Sequence, residues 1–260
     1  MGDSMLAVER RKRIIEIISQ KKSVLVQELS RQFEVTEETV RRDLEKLEQQ
    51  GILVRTYGGA TLAGENTEEV SVEVRQSINI IGKDLIGMAA SELIEEGETI
   101  FLDASTSSLS VAKYIKDRKG ITVITNAEKV VAELAKSESI NVICVGGILR
   151  KTSMSYVGKV TETTILNNFY ANKTFISCRG VTLNRGLTDS NEQEAEVKKA
   201  MIQCSEQVVF LCDHSKLGKL GVPILASLNQ INHLVTDKPL DEEWQEALTQ
   251  QNINITVATS

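Results

Sequence analysis

Two adjacent arginines, Arg41 and Arg42, form the most specific chemical pattern in this sequence. Residues 36–49 around them place apolar side chains at helical spacing, so one face suits a core and the opposite face is polar. Thr36 is a predicted N-cap whose hydroxyl accepts a backbone N–H, and Glu37 and Glu38 suit the positive end of the helix. Because guanidinium groups bind guanine edges and phosphates bidentately, we predict that this helix reads DNA.

The residues on either side of this helix complete a DNA-binding geometry. Helices are predicted at 6–20 and 26–33, a tight turn at 34–35, a strand at 52–55 and a wing-like turn at 57–59. Three helices and a hairpin form a winged helix-turn-helix, which places the last helix in the major groove. The alternative is a small helical bundle with a solvated charged face, but the order of cap, turn, arginine pair and wing favours DNA reading. The predicted DNA-contacting residues are Thr36, Glu38, Thr39, Arg41, Arg42, Arg55 and Tyr57.

Short apolar runs alternate with helical stretches through the rest of the chain. Such runs are typical of a mostly parallel, Rossmann-like sheet covered on both faces, which binds ligands at the carboxyl ends of its strands. Strands are predicted at residues 99–102, 121–125, 141–145, 174–178, 208–212, 233–236 and 254–257, and helices at 76–95, 107–117, 127–137, 160–168, 191–205 and 241–251. The sequence therefore predicts an α+β winged helix-turn-helix domain followed by an α/β domain.

Polar residues follow these strands, where a parallel sheet gathers them at one edge. Asp103 and residues 105–108 open a helix whose amides and hydroxyls suit a phosphate, although plain N-capping explains the same residues equally well. A turn with a surface arginine is the alternative at Arg150. Further members of the set lie after later strands or near the start of the helix at 191–205: Asn126, Gly146, Gly147, Arg150, Glu194, Asp213 and Lys216. Together they predict a site for a polyol phosphate.

Composition and charge restrict the class of protein. The 260 residues suffice for two domains, and no apolar run approaches the ~18–20 residues of a membrane span, so a cytoplasmic location is predicted. Four cysteines lack C-x-x-C spacing and the two histidines lie far apart, so no metal site is predicted. The net charge is −6, yet residues 1–61 hold 11 Lys+Arg against 10 Asp+Glu. DNA affinity therefore requires locally focused arginines and more than one copy of the chain.

Residues 5–61 resemble the N-terminal domain of the DeoR family of bacterial transcriptional regulators. The resemblance rests on V-T-E-E-T-V-R-R-D-L at 35–44, then on Leu47, Gly51, Leu53, Arg55 and the Gly-Gly-Ala at 58–60. It continues to the C-terminus, where the family has a sensor domain similar to ribose-5-phosphate isomerase that binds a phosphorylated sugar without converting it. With the polar, acidic stretch at 62–74 interpreted as a linker, the predicted sensor domain is 75–260.

The resemblance also implies which residues form the effector site. Two positions depart from the family: Ala104 stands where glycine is frequent, and Cys178-Arg179-Gly180 replaces a small, neutral pair before glycine. Arg179 favours a ligand with an extra anionic or oxygen-rich group if it points into the pocket, and is a surface charge if it points outward. The predicted effector-binding residues are Asp103, Ser105, Thr106, Ser107, Asn126, Gly146, Gly147, Arg150, Arg179, Glu194 and Lys216.

These patterns predict a sequence-specific regulator, a repressor of a carbohydrate-utilisation operon whose DNA binding is modulated by a phosphorylated sugar or polyol. It is expected to bind double-stranded operator DNA as a homo-oligomer, dimer or tetramer, and to have no cofactor, metal or catalytic residue. One alternative is an isomerase-like enzyme in which Asp103, Glu194 and Lys216 transfer protons. The other is an architectural DNA-binding protein with an inert oligomerisation domain. Whether the ligand releases or promotes DNA binding stays open.

Overall fold

The structure is a computed structural model that describes residues 6–21, 23–49, 52–62 and 70–259. The chain divides into two compact units, residues 1–80 and 81–260. Among the described residues, no helix combines the length and the apolar character needed to cross a membrane.

The first unit contains the three helices and the hairpin that its sequence predicts. Its elements are α1 (Ala7–Lys21), β1 (Ser23–Leu25), α2 (Val26–Phe33), α3 (Glu37–Gln49), β2 (Leu53–Thr56), β3 (Gly59–Leu62) and α4 (Val72–Ser77). The strands form an antiparallel sheet in the order β1-β3-β2, with the wing turn between β2 and β3. Strand β1 was not predicted because three residues are too few to show a period of two.

The core of the first unit lies among its helices and the wing. Val40, Leu44 and Leu47 of α3 are buried, as its helical periodicity predicts, and they pack in one cluster with Ile14 and Ile18 of α1. Removing this apolar face from water supplies the driving force that holds α3 against the rest of the unit. The opposite, charged face of α3 is therefore presented to solvent at a fixed orientation.

The structure differs from the predicted boundary between linker and sensor domain. Val74 in α4 is fully buried in the core of the first unit, where the half-buried Val70 and Ile78 also pack. Residues 72–77 are thus a helix of the first unit, although they fall partly in the predicted linker at 62–74; residues 63–69 of that linker lie outside the described residues. The predicted single helix at 76–95 is interrupted because Asn79 adopts a left-handed φ of 49°.

The second unit is built on a seven-stranded parallel sheet. Its order is β15-β14-β12-β9-β4-β5-β6, and every pairing within it is parallel. The strands are β4 (Thr99–Leu102), β5 (Thr122–Thr125), β6 (Asn141–Cys144), β9 (Ala171–Ile176), β12 (Ser205–Cys212), β14 (His233–Thr236) and β15 (Asn254–Val257). The helices are α5 (Ile80–Ser91), α6 (Thr106–Ile115), α7 (Glu128–Leu134), α8 (Lys159–Asn168), α9 (Glu192–Gln203) and α10 (Glu242–Gln250). All seven predicted strands are confirmed within three residues at each end.

Helices cover both faces of this sheet. Ile100 and Leu102 of β4 pack in one hydrophobic cluster with α5, α6 and α7, whereas Phe101 between them packs in another with α8 and α9. A strand buried on both faces needs apolar residues at successive positions, which explains why the strand runs do not alternate with polar residues. The predicted two-sided, Rossmann-like α/β layering is confirmed.

Short strands beside the main sheet were not predicted. They form a hairpin of β7 (Ile148–Arg150) and β8 (Ser155–Val157), and an antiparallel group of β10 (Gly180–Thr182), β11 (Gly186–Thr188) and β13 (Ile224–Ala226). Each has three residues, too few for a sequence pattern to distinguish from loop. They nevertheless matter for function, because several predicted site residues lie on them or next to them.

Candidate functional site

The recognition helix α3 begins as its sequence predicts. The Thr36 Oγ1 accepts a hydrogen bond from the backbone N–H of Thr39 at 3.2 Å, and the two threonine hydroxyls lie 2.9 Å apart. A hydroxyl cap of this kind fixes the first turn of a helix. Thr36 is exposed and Thr39 is half-buried, so the capped turn is accessible from solvent.

A groove of about 700 Å³ separates α3 from the wing. Glu37, Arg41 and Leu44 line it from α3, and Leu25, Val26 and Gln27 line it from β1 and α2. Arg55, Thr56, Tyr57, Gly58 and Gly59 line it from the wing. Arginines on two different elements therefore share one concave surface, the arrangement that a winged helix uses to hold a nucleic-acid backbone beside the base edges.

The two arginines of α3 each form an ion pair one helical turn back. The Arg41 Nη2 lies 2.8 Å from the Glu37 Oε2, and the Arg42 Nε lies 3.3 Å from the Glu38 Oε1. The side chains of Arg41 and Arg42 are more than half exposed, at 53% and 74%. The predicted position of Arg41 and Arg42 away from the apolar face of α3 is therefore confirmed.

The wing is tied to the far end of α3 by Arg55. Its Nε donates to the Glu48 Oε2 at 2.7 Å and its backbone N–H donates to the Glu48 Oε1 at 2.9 Å. These hydrogen bonds lower the pKa of Glu48 below its ordinary value. At the tip of the wing, Tyr57 is fully exposed, and Gly58 has a φ of 85° that suits glycine in a tight turn.

A buried ion pair fixes α3 to α1. The Arg10 Nε lies 2.6 Å from the Asp43 Oδ2, and the Arg11 Nη1 lies 3.2 Å from the Asp43 Oδ1. The side chains of Arg10 and Asp43 are only 7% and 5% exposed. The sequence does not predict this contact, because Asp43 follows two arginines in a charged stretch. Its position between Val40 and Leu44, on the apolar side of α3, was the sequence feature that indicated burial.

We expect Asp43→Asn to loosen the recognition helix. The substitution removes the charge that Arg10 and Arg11 share, and hydrogen bonds to charged groups contribute about 1.5–3 kcal/mol each. Hydrogen exchange of the α3 backbone amides should therefore accelerate by about 10-fold or more. Glu45→Gln, an exposed change on the same helix, is the control and should leave exchange close to that of the wild type; equal exchange in both variants would contradict a positioning role for Asp43.

Asp103 lies at the point where the order of the main sheet reverses. The chain runs from β4 outward through β5 and β6 and then returns to the other side of β4 with β9, and such switch points are where α/β sheets bind ligands. The fully buried Asp103 carboxylate accepts the Ser105 N–H at 3.0 Å, the Ser108 hydroxyl at 2.6 Å and the Ser177 N–H at 3.1 Å. Asp103 thereby joins the loops after β4 and β9.

A buried lysine that sequence reasoning missed neutralises this carboxylate. The Lys198 Nζ lies 2.6 Å from the Asp189 Oδ2 and 3.2 Å from the Asp103 Oδ2, and it donates to the Ser177 carbonyl at 2.8 Å. Burial alone would lower the pKa of Lys198, but Asp189 and Asp103, with Glu194, raise it. The available signal was the spacing of Lys198 four residues after Glu194, which places both on one face of α9.

Glu194 gathers a second group of polar residues one turn earlier on α9. Its Oε1 accepts the Ser155 hydroxyl at 2.9 Å and lies 3.6 Å from the Arg150 Nη1, which also lies 3.1 Å from the Ser153 hydroxyl. The side chains of Glu194 and Arg150 are 5% and 18% exposed. Arg150 is therefore not the surface arginine of the alternative interpretation, because the β7–β8 hairpin turns it toward α9.

The helix α6 begins beside Asp103. From the sequence its first residues could serve as an N-cap or as an anion site, and the structure is compatible with both. The Ser105 hydroxyl accepts the Ser108 N–H at 3.1 Å, so plain N-capping occurs at this residue. Thr106 and Ser107 are buried residues, and within the described part of the chain neither side chain forms a hydrogen bond. Backbone amides in the first turn of a helix also lack helical acceptors. An anion site at Thr106 and Ser107 is thus compatible with the cap at Ser105.

Asn126 follows β5 at the same edge of the sheet. Its Nδ2 donates to the Tyr156 carbonyl at 2.8 Å, while its Oδ1 is buried and has no hydrogen-bond partner among the described residues. Gly146 and Gly147 are exposed, and their contacts are with α8: the Thr161 hydroxyl donates to the Gly146 carbonyl at 2.8 Å. A Cβ on Gly147 would lie 2.0 Å from the Thr161 Oγ1, so close packing requires glycine there.

Lys216 lies in the turn after β12, next to Asp213. Burial alone would raise the pKa of Asp213, but Lys216, the hydrogen bonds of Ser215 and the charge of Lys83 together lower it. Arg179 is half-buried, and its backbone N–H donates to the Thr188 carbonyl at 3.0 Å. Lys216 and Arg179 stay predicted effector contacts.

Burial controls the protonation of two thiols in the second unit. Burial raises the pKa of Cys178 to about 12 and also raises that of Cys212, so both thiols are protonated and unreactive at neutral pH. Cys144 is exposed, whereas the other three cysteines are buried. Within residues 6–21, 23–49, 52–62 and 70–259, no group of three or more His, Cys, Asp or Glu side chains is placed to hold a metal ion.

Comparison with solved structures gives only a weak likeness. Ribose 5-phosphate isomerase A of Methanocaldococcus jannaschii superposes with a TM-score of 0.40 at 15% identity, over 54% of this chain and 55% of that chain.

Sequence comparison is decisive. Residues 10–66 match the DeoR-like helix-turn-helix domain and residues 78–238 match the DeoR C terminal sensor domain. The HTH-type transcriptional regulator YulB of Bacillus subtilis (strain 168) is 41% identical over 97% of both chains. The putative aga operon transcriptional repressor of Escherichia coli O157:H7 is 30% identical over 95% of this chain and 92% of that protein. These relatives are regulators and not enzymes, and the sensor match favours a sensor domain over the inert-domain alternative. The chain belongs to the DeoR family of transcriptional regulators.

Proposed function

We propose that this protein is a repressor of a carbohydrate-utilisation operon whose affinity for operator DNA changes when a phosphorylated sugar or polyol occupies the second unit. The observation that carries the proposal is the buried polar cluster along α9, where Lys198 pairs with Asp103 at the sheet switch point and Glu194, one turn earlier, pairs with Arg150. Buried charges are costly unless they are paired, so such a cluster is a typical sign of a binding site.

The cluster offers different chemistry to the two parts of a sugar phosphate. The amides and unpaired hydroxyls of Thr106 and Ser107 at the start of α6 suit the phosphate, and Lys216 adds a positive charge. The buried Asn126 Oδ1 suits a sugar hydroxyl, because a hydroxyl donates a hydrogen bond to an acceptor that otherwise lacks one. An apolar ligand would form no comparable hydrogen bonds with the start of α6 or with the Asn126 Oδ1.

Regulation requires that the ligand bind two states of the protein unequally. A ligand shifts an equilibrium only by its difference in affinity for the DNA-competent and DNA-incompetent states. We propose that these states differ in how the subunits of a cytoplasmic homo-oligomer, dimer or tetramer, present their helix-turn-helix units to paired half-sites. Repression is supported by the aga operon relative, which is named as a repressor.

A thermal-shift screen of the full chain tests the ligand. At ~100 times its dissociation constant, a ligand should stabilise the second unit by about 2.7 kcal/mol, or roughly 5–10 °C. We expect one phosphorylated sugar or polyol to produce this shift and its unphosphorylated parent to produce none. Lys216→Met should reduce the shift, whereas Lys136→Met, which replaces an exposed lysine just after α7, should preserve it.

The same ligand must then act on DNA. In a titration with a duplex that the protein selects from a random pool, the affinity should change several-fold as the ligand concentration rises. A ligand that stabilises the protein and leaves DNA affinity constant would contradict the proposed regulation. Absence of stabilisation by any phosphate would contradict the proposed effector class.

A further inference from the structure

The helix that carries the DNA-reading arginines is itself acidic. α3 contains three Lys or Arg residues and five Asp or Glu residues, a net charge of −2. Because phosphates repel carboxylates within a Debye length of about 8–10 Å, acidic residues on this helix oppose DNA binding. Asp43 is explained by its buried pairing with α1. The other four are glutamates, and three of them, Glu37, Glu38 and Glu48, contact an arginine of the DNA-binding surface.

These glutamates occupy the N–H groups that recognition requires. Glu48 accepts the Arg55 Nε at 2.7 Å, and Glu37 accepts the Arg41 Nη2 at 2.8 Å. Bidentate recognition of a guanine edge or a phosphate uses these same donors. In the free protein each arginine is therefore already bound to a carboxylate, and DNA must displace that carboxylate to gain the contact.

Displacement affects correct and incorrect DNA differently. Exposed ion pairs are individually weak, so a guanine edge that accepts two hydrogen bonds from an arginine replaces the carboxylate at a net gain. A single phosphate at a random sequence offers little more than the carboxylate that it displaces, and it lies close to the released negative charge. The carboxylates thus reduce non-specific affinity more than specific affinity.

We propose that Glu37, Glu38 and Glu48 are specificity-determining residues, which keep Arg41, Arg42 and Arg55 paired in the free protein and so raise the ratio of operator affinity to random-DNA affinity. The proposal rests on the DNA-binding function given above. The groove between α3 and the wing supports it, because Glu37, Arg41 and Arg55 line that one surface and a duplex entering it meets the pairs together.

The test compares two duplexes with the full-length protein. One is a duplex that the wild-type protein selects from a random pool, and the other is a random-sequence duplex of equal length. In the double variant Glu37→Gln, Glu48→Gln, which leaves the predicted DNA-contacting residue Glu38 in place, affinity for the random duplex should rise by about 3- to 10-fold, while affinity for the selected duplex changes much less. Glu28→Gln, an exposed residue of α2 outside these pairs, changes the charge without freeing an arginine and should leave the ratio within about twofold of the wild type.

The two measured affinities either support the proposal or overturn it. Equal gains for both duplexes would show a general charge effect and overturn the proposal, as would an unchanged affinity for random DNA. Since Glu48 also holds the wing through the Arg55 N–H, the single variant Glu37→Gln repeats the test without altering that contact, and the ratio must fall there too. A wild-type protein that selects no duplex would instead contradict the proposed function itself.

Discussion

Replacing Lys198 with methionine is expected to destabilise the second unit by about 3–5 kcal/mol, because removing one partner of a buried ion pair leaves uncompensated charge. The Lys198 side chain is 8% exposed and contacts two carboxylates, Asp189 and Asp103, that are 5% and 0% exposed. Methionine fills a similar volume, so the expected loss comes from charge and hydrogen bonding and not from a cavity. The effect is the largest that we expect from a single substitution in this chain.

Urea unfolding followed by tryptophan fluorescence measures this loss. Trp244 is the only tryptophan of the chain and is buried in the core of the second unit, so its signal reports that unit. Lys199→Met is the matched control, because Lys199 is the next residue of α9 and its ion pair with Glu196 is 43% exposed on both sides. The control should change stability by less than about 1 kcal/mol. Equal stability of the two variants would rule out the structural role assigned to Lys198.

Replacing both Arg41 and Arg42 with alanine is expected to weaken specific DNA binding by roughly 10²–10⁴-fold. Each bidentate arginine contact with a base contributes about 1–3 kcal/mol, and the double variant removes two from every copy of the domain. Folding should be almost unaffected because both side chains are mainly exposed and neither belongs to the apolar face of α3.

Binding to a selected duplex at several salt concentrations tests this expectation. Loss of the two arginines should lower both the affinity and the steepness of its dependence on salt, since fewer counterions are released. The double variant Lys12→Ala, Arg13→Ala removes the same charge from the exposed part of α1 and should retain most of the affinity. Specific binding that survives in the α3 variant would mean that another element reads the bases.

Features that depend on residues close together in the sequence are predicted correctly, whereas features that depend on distant residues are not. The α3 cap, its buried face and its exposed arginines follow from spacing within 14 residues, and all three are confirmed. The strands of the main sheet follow from continuous apolar runs, and they too are confirmed. The pairing of Asp43 with Arg10 spans 33 positions, and no local pattern reveals it.

The effector region shows the same limit. The sequence predicts which residues follow the strands, and the structure pairs Arg150 with Glu194 while Asp103 pairs with Lys198 one turn further along α9. The sequence does not predict the role of Lys198, because its neighbour Lys199 carries the same charge. Only the tertiary packing determines that Lys198 is buried and Lys199 is exposed. The boundary between the two units differs from the predicted boundary for a related reason. Val72 and Val74 lie in a helix that is too short to show a helical period in the sequence, and their burial depends on distant residues.

The spacing of Glu194 and Lys198 on α9 has a consequence for how new ligand preferences arise. Lys198 joins the loops that follow two central strands, so substitutions there change folding before they change binding. Glu194 instead contacts the β7–β8 hairpin through Ser155 and Arg150, beside the main sheet. One helix thus carries a structural anchor at one turn and a peripheral contact at the preceding turn. Laboratory evolution toward a different effector should therefore accumulate changes around Arg150, Ser155 and Glu194 while Lys198 and Asp103 persist.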